Sequence, residues 1–136
     1  MKGITLFTFV FLWLYPFPAL ALSEPEDIFP KIARAVKTGD TDSLSKWFAP
    51  TLDLEILGDA HICSKNHAKQ ILKDFFAKYT PKDFTFIHQS GIGRLKYGIG
   101  NLSAAGGNFR ITIFVSAEKD KPRVQQIRIE LSVINI

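Results

Sequence analysis

Three side chains that can bind a metal ion or take part in nucleophilic catalysis lie close together in the sequence. His61, Cys63 and His67 form the pattern H-x-C-x3-H. Zinc accepts thiolate and imidazole ligands, but a structural zinc site needs four ligands and this segment offers three. A thiolate beside a histidine could also act as a nucleophile. The simpler interpretation is a buried cysteine next to two surface histidines, so the sequence predicts no metal and no catalytic residue here.

Glu55 is a carboxylate that could transfer a proton if it faced an apolar pocket. It lies in a segment where Leu52, Leu54 and Ile56 alternate with acidic residues, as in a half-buried strand. A carboxylate in an apolar pocket can serve as a general acid or base. Because Leu54 and Ile56 occupy the inward positions, Glu55 is predicted to face water, and we expect no catalytic role for it.

A further histidine, His88, shares one face of a predicted strand with Phe84 and Phe86. If the two phenylalanines face the core, His88 faces it as well. An inward histidine usually has a hydrogen-bond partner, either the backbone or a tyrosine such as Tyr97. It can also be the polar group of a ligand pocket. The sequence therefore predicts that His88, Tyr97, Phe84 and Phe86 border any internal pocket.

The charge of the chain is only mildly positive. Seventeen Lys and Arg residues against 13 Asp and Glu residues give a formal net charge of +4. In the predicted sheet, the basic residues fall mainly near turns or occur one per strand on the polar face. Binding to a nucleic acid requires a denser basic stripe with exposed aromatic residues. We therefore expect no nucleic-acid partner.

The elements that must position these residues follow an apolar N-terminal segment. Residues 3–15 carry no charge and come after a lysine, as in a signal peptide. Pro16 and Pro18 interrupt this segment, and Ala19 and Ala21 put small residues at the positions that a signal peptidase recognises. The sequence predicts cleavage after Ala21. An uncleaved membrane anchor is the alternative, because about 20 apolar residues can span a bilayer.

Cleavage would divide the chain into a signal peptide, residues 1–21, and a single domain, residues 22–136. A domain of this size can bury one hydrophobic core. Cys63 is the only cysteine, so no disulfide can form within the chain. The expected location is the periplasm or the cell exterior, and no contact with a membrane is expected after cleavage.

Two helices are predicted before the first strand. Apolar residues recur at helical spacing between residues 28 and 36, and Gly39 can end that helix. Asp40 or Thr41 can cap a second, shorter helix, which Pro50 stops. This second helix is predicted to carry three large apolar residues, Leu44, Trp47 and Phe48.

A longer helix and a run of strands complete the predicted domain. Ser64 can cap the helix, and Pro81 ends it. Its apolar stripe consists of Ala68, Ile71, Leu72, Phe75, Phe76 and Tyr79. From Asp83 onward apolar and polar residues alternate, with turns near residues 90–93, 105–108 and 119–122. The order of elements predicts an α+β fold in which helices cover one face of an antiparallel sheet.

Several short blocks, matched in order and spacing, resemble an exported bacterial subfamily of the nuclear-transport-factor-2-like superfamily. The blocks are residues 64–76, 84–89, 97–102, 107–110 and 125–130. The resemblance implies a cone, a strongly curved antiparallel sheet wrapped around the long helix with a cavity between them. The superfamily includes isomerases, dehydratases, epoxide hydrolases, carriers and dimerisation modules. The subfamily has no known function, so the resemblance carries over no catalytic residue.

These observations favour a non-enzymatic domain that binds a small apolar molecule or a protein partner. The alternative is a small lyase or isomerase that uses the concave pocket. No acidic and basic pair occupies inward positions, which argues against the enzyme, and no cofactor is expected. Phe114 and Ile134 interrupt the polar face of the sheet. Because the resemblance implies proteins that pair through the sheet, a homodimer is also predicted.

Overall fold

The computed structural model describes residues 26–119 and 121–132. The predicted signal peptide and Ile134 lie outside these ranges. The described part contains three helices: α1 (Phe29–Thr38), α2 (Thr41–Ser45) and α3 (Lys65–Lys78). It also contains six strands: β1 (Phe48–Ile56), β2 (Asp59–Ser64), β3 (Pro81–Ile92), β4 (Leu95–Ala104), β5 (Gly107–Glu118) and β6 (Lys121–Leu131). None of the helices in these ranges is long and apolar enough to cross a membrane.

All six strands form one sheet in the order β2-β1-β6-β5-β4-β3. Four neighbouring pairs are antiparallel, and the pair β1–β6 is parallel. Three of the antiparallel pairs, β3–β4, β4–β5 and β5–β6, form the predicted run of hairpins. The parallel pair arises because α3 carries the chain from β2 at one edge to β3 at the other. The antiparallel meander β3–β6 then returns to β1. The sheet is curved and open, and the predicted α+β cone is confirmed.

The first strand and its neighbour differ from the prediction in two ways. Phe48 was expected on the second helix, but α2 ends at Ser45 and Phe48 begins β1. Pairing with β6 explains this difference, because the backbone N–H of Val124 donates to the carbonyl oxygen of Trp47 at 2.7 Å. Strand β2 was not predicted. It follows a two-residue turn, Leu57 and Gly58, whose φ angles of 51° and 92° suit a tight hairpin.

The predicted helix caps at Gly39, Asp40 and Ser64 are confirmed. Gly39 ends α1 with a φ of 68°, a left-handed conformation that glycine adopts without a steric penalty. The carboxylate of Asp40 accepts a hydrogen bond from the backbone of Ser43 and caps α2. The hydroxyl of Ser64 accepts one from the backbone of His67 and caps α3 at 3.2 Å.

The core lies between the helices and the face of the sheet that we call the inner face. Buried apolar residues alternate along the central strands, so that Ile111 and Ile113 of β5 face the helices beside Ile127 and Ile129 of β6. From α3, four residues are buried: Ala68, Leu72, Phe75 and Phe76. Leu131 stands opposite the buried Phe109 on the same face but is 64% exposed, because it lies at the end of β6. The opposite side of the sheet is the outer face.

Candidate functional site

The inner face is filled by aromatic rings where the sequence predicts a pocket. Phe84 is buried and Phe86 is half-buried, and their ring centroids are 4.9 Å apart. Phe86 also packs edge-on against Phe29 of α1 at 5.2 Å. Gly98 and Gly100 of β4 make room for these rings. A Cβ atom at Gly100 would lie 2.6 Å from Cε1 of Phe84, and one at Gly98 would lie 2.9 Å from Cε1 of Phe86.

A second aromatic cluster fills the space beneath α3. Phe75 and Tyr79 pack against Phe109 of β5, with ring centroids 5.1 and 4.8 Å away. A small cavity of about 20 Å³ lies beside Ile28 and Val115, near the first residue of α1. A space of this size holds about one water molecule. The geometry therefore gives no support to an internal pocket of ligand size, and such a pocket stays a prediction.

His88 does not face the core, so that expectation is wrong. Phe86 pairs with Gly100 of β4, and His88 pairs with the next residue of that strand, Ile99. Ile87 is therefore an extra residue, a β-bulge. Because side chains alternate along a strand, one extra residue turns every later side chain to the opposite face. The bulge leaves the two phenylalanines on the inner face and exposes His88 on the outer face.

Tyr97 also lies on the outer face, beside His88. Its hydroxyl is 3.3 Å from Nε2 of His88, so the expected tyrosine partner of this histidine is confirmed. Phe114 of β5 stands directly opposite Tyr97, with ring centroids 5.8 Å apart. The four residues predicted to border a pocket are therefore divided between the two faces of the sheet.

Apolar side chains extend this aromatic group toward the β3–β4 turn. Ile92 and Leu95 stand opposite each other and alternate in phase with Tyr97, which places both on the outer face. Their exposed fractions are 91% and 68%, and that of Phe114 is 38%. We call His88, Ile92, Leu95, Tyr97 and Phe114 the outer patch. Exposed apolar groups that adjoin one another mark binding surfaces more often than isolated ones do.

Charged residues of both signs lie on the outer face beyond Phe114, on β6 and β1. Glu55 is on the outer face, as predicted, and one of its carboxylate oxygens accepts from Nε of Arg128 at 2.7 Å. Glu130 lies 4.0 Å from the same nitrogen. Alternation along β1 places Glu55 on the opposite face from the buried Leu54. No other titratable group of the described chain is hydrogen-bonded or ion-paired to Glu55.

The three residues of the H-x-C-x3-H pattern do not converge. Cys63 is buried, as predicted, whereas His61 and His67 are exposed. Burial raises the pKa of the Cys63 thiol, and the nearby negative charge of Asp53 raises it further. A thiol held in its neutral form is a poor nucleophile. Within residues 26–119 and 121–132, no three His, Cys, Asp or Glu side chains form a group that could hold a metal ion.

Comparison with solved structures defines the class of protein. A nuclear-transport-factor-2-like protein of unknown function from Shewanella baltica superposes with a TM-score of 0.61 at 8% identity, over 78% of this chain and 89% of that one. A protein with a cystatin-like fold from Nostoc punctiforme gives 0.62 at 8% identity, over 76% and 72%. The chain therefore has the nuclear-transport-factor-2-like fold that the sequence blocks predict.

The family follows from a closer match. Residues 29–130 match the model described as "Domain of unknown function (DUF4783)", and the chain belongs to this family. A DUF4783 family protein from Bacteroides uniformis is 27% identical, with a TM-score of 0.76, over 79% of this chain and 99% of that one. The chain has no match among curated protein sequences.

Proposed function

We propose that this chain is an exported, non-enzymatic binding domain that associates with a second copy of itself through the outer patch. The observation that carries the proposal is the run of adjoining apolar side chains on the outer face. Tyr97 and Phe114 stack across two central strands, and Ile92 and Leu95 continue the run with most of their surface exposed. Aromatic residues are enriched in protein interfaces because they bury a large area with few rotatable bonds.

The inner face supports binding or catalysis less well than the outer face. Phe84 and Phe86 occupy the space above Gly98 and Gly100 and leave no room there for a small molecule. The groups that could transfer a proton have other partners, since Glu55 is paired with Arg128 and His88 with Tyr97. Among the described residues, Glu55 and His88 therefore support a binding function better than the lyase or isomerase alternative.

A second copy is the partner that the charges favour. A two-fold symmetric interface brings the same surface from each copy together, so this surface must complement itself. On the outer face beyond Phe114, Arg110 and Arg128 carry positive charge and Glu55 and Glu130 carry negative charge. A two-fold rotation can bring Arg128 of one copy toward the acidic residues of the other while the apolar groups meet at the centre. Export of the domain rests on the signal-peptide pattern of residues 1–21.

Sedimentation equilibrium across the micromolar range tests the proposal. We expect a dimer for the wild type, and a monomer or a dissociation constant raised at least about 30-fold for Phe114→Glu, because a central interface residue contributes about 2 kcal/mol or more. Ala77→Glu adds the same charge on the exposed side of α3 and should leave the dimer intact. A wild-type monomer at every concentration, or equal effects of the two substitutions, would overturn the proposal.

A further inference from the structure

A groove between α1 and α2 combines positive charge, hydroxyl groups and an aromatic ring. Its volume is about 360 Å³, within the range of about 300–1,000 Å³ that small-molecule sites occupy. Lys31, Arg34 and Thr38 contribute from α1, where their spacing places them on one side of the helix. Ser43 of α2 and Trp47, just after this helix, form the opposite side. We call this feature the helical groove.

Positive charge in the helical groove exceeds negative charge. Lys31, Arg34 and Lys46 line it, and Asp40 is the one carboxylate among the lining residues. Both oxygens of Asp40 already accept from Ser43, one from the backbone N–H at 3.1 Å and one from the hydroxyl at 2.6 Å. These hydrogen bonds lower the pKa of Asp40, and the nearby charge of Lys46 adds to the effect.

Two of the three cations have no ionic partner in the described part of the chain. Lys31 pairs with Glu26, but neither Arg34 nor Lys46 forms an ion pair with any described carboxylate. A guanidinium group offers a planar set of donors that matches a carboxylate or a phosphate. The ammonium group of Lys46 adds a second, non-directional positive charge. The groove is therefore suited to hold an anion.

The remaining lining groups suit the body of a sugar. The Trp47 ring is half-buried against the core, and the ammonium of Lys31 lies 5.1 Å from its centroid. The hydroxyl of Thr38 donates to the carbonyl oxygen of Arg34 at 3.0 Å, as the Ser43 hydroxyl donates to Asp40. Both hydroxyl oxygens keep lone pairs that can accept from the hydroxyl groups of a ligand.

We infer that the helical groove binds a sugar that carries a carboxylate or a phosphate group. The anionic group lies between Arg34 and Lys46. The exposed side chain of Lys31, whose ammonium lies over the Trp47 ring in the free protein, moves aside on binding, and the apolar face of the sugar ring takes its place against Trp47. The groove is on the helical side of the molecule, and the outer patch is on the far side of the sheet. A dimer formed through the outer patch therefore leaves both grooves accessible, and the two sites can be tested separately.

Tryptophan fluorescence reports on this groove directly. Trp13 and Trp47 are the two tryptophans of the chain, so in the full-length chain with Trp13→Phe the emission comes from Trp47 alone. Glucuronate and glucose 6-phosphate are the probes, and glucose, inorganic phosphate and hexaglutamate are the comparisons. We expect a saturable change in emission with at least one of the two sugar acids, and calorimetry should give the same dissociation constant.

Substitution of the two unpaired cations provides the decisive comparison. Arg34→Gln combined with Lys46→Gln should weaken binding of the sugar acid at least about tenfold, because charge-assisted hydrogen bonds are lost. Lys73→Gln together with Lys82→Gln removes the same charge from exposed positions outside the groove and should leave binding unchanged. Any one of four results would overturn the inference. These are equal binding of glucose or inorganic phosphate, binding of hexaglutamate alone, no binding of either sugar acid, and an unchanged affinity in the double variant.

Discussion

The ring of Phe84 on β3 lies against the backbone of Gly100 on β4, so closely that a Cβ atom at Gly100 would be 2.6 Å from Cε1 of the ring. The carbonyl oxygen of Thr85 would lie 3.0 Å from the same Cβ. Glycine at this position thus allows a phenylalanine to fill the inner face of a curved sheet. The same relationship joins Phe86 to Gly98. Gly98 and Gly100 therefore allow two phenylalanine rings to occupy this part of the inner face.

The first prediction concerns this contact. Gly100→Ala should lower the free energy of unfolding by about 1–3 kcal/mol, the usual effect of overpacking a core. Ser103→Ala, at an exposed position of the same strand, should change it by less than about 0.5 kcal/mol. Adding Phe84→Leu to Gly100→Ala should recover part of the loss if the two residues are coupled. Urea unfolding measures all of these values, and equal stability of both alanine variants would contradict the contact.

The apolar stripe of α3 should be uneven in its contribution to stability. Leu72 is 1% exposed, whereas its neighbour Ile71 is half-buried beside a surface groove. Leu72→Ala should therefore cost about 2–5 kcal/mol, as expected when a large core residue leaves a cavity. Ile71→Ala should cost clearly less. Denaturant melts in which Ile71→Ala is the more damaging change would show that the helix packs through a different side.

Local signals in the sequence predict much of this fold. Ser64 caps α3 through its own side chain and the next turn of backbone, so this cap can be predicted from the local sequence alone. The alternation along β5 is equally local, because every second residue meets the same core. Phe48 is different. Its strand conformation depends on pairing with Val124, which is remote in the sequence, and no local pattern distinguishes this from one more turn of helix.

The candidate sites depend on features that periodicity does not show. The extra residue Ile87 separates Phe86 from His88 and reverses the direction of His88, yet the alternation of residue types continues across it. Phe114 could be predicted as an apolar interruption of the outer face, because it falls within a regular strand. The helical groove depends on how α1 lies against α2, so sequence spacing could not predict that Arg34 and Trp47 line the same groove.

Reactivity of Cys63 gives a prediction about pH. Burial raises the pKa of this thiol above that of a free cysteine, so the folded protein disfavours the thiolate. Alkylation by iodoacetamide at pH 8 should therefore be much slower in the folded protein than in urea. Below the pKa of the unfolded thiol, both states carry the neutral thiol and the folded state keeps its full stability. As the pH rises toward the higher pKa of the folded thiol, the unfolded state ionises first and the free energy of unfolding falls. Unfolding free energies should fall more steeply above about pH 8.5 in the wild type than in Cys63→Ala.

Cleavage of the precursor can be tested without structural data. N-terminal sequencing of the protein isolated from its natural host should read Leu22, Ser23 and Glu24. Replacing Ala21 with a bulky residue, as in Ala21→Phe, should impair processing because signal peptidases require a small residue there. Ser23→Phe, beyond the cleavage site, is the control and should be processed. An intact Met1 in the membrane fraction would identify the segment as an anchor.

Removing the hydrogen-bond partner of His88 tests whether this histidine is exposed on the outer face or buried. Tyr97→Phe deletes the hydroxyl that lies 3.3 Å from Nε2 and keeps the ring. If His88 were buried, the loss would leave an unsatisfied polar group and cost about 1–3 kcal/mol. At the exposed position that the bulge creates, water replaces the hydroxyl, so Tyr97→Phe and His88→Ala should each cost less than about 0.5 kcal/mol. Urea unfolding at low protein concentration, where self-association is minimal, measures these changes. A loss of more than about 2 kcal/mol in the free energy of unfolding of Tyr97→Phe would show that His88 is buried.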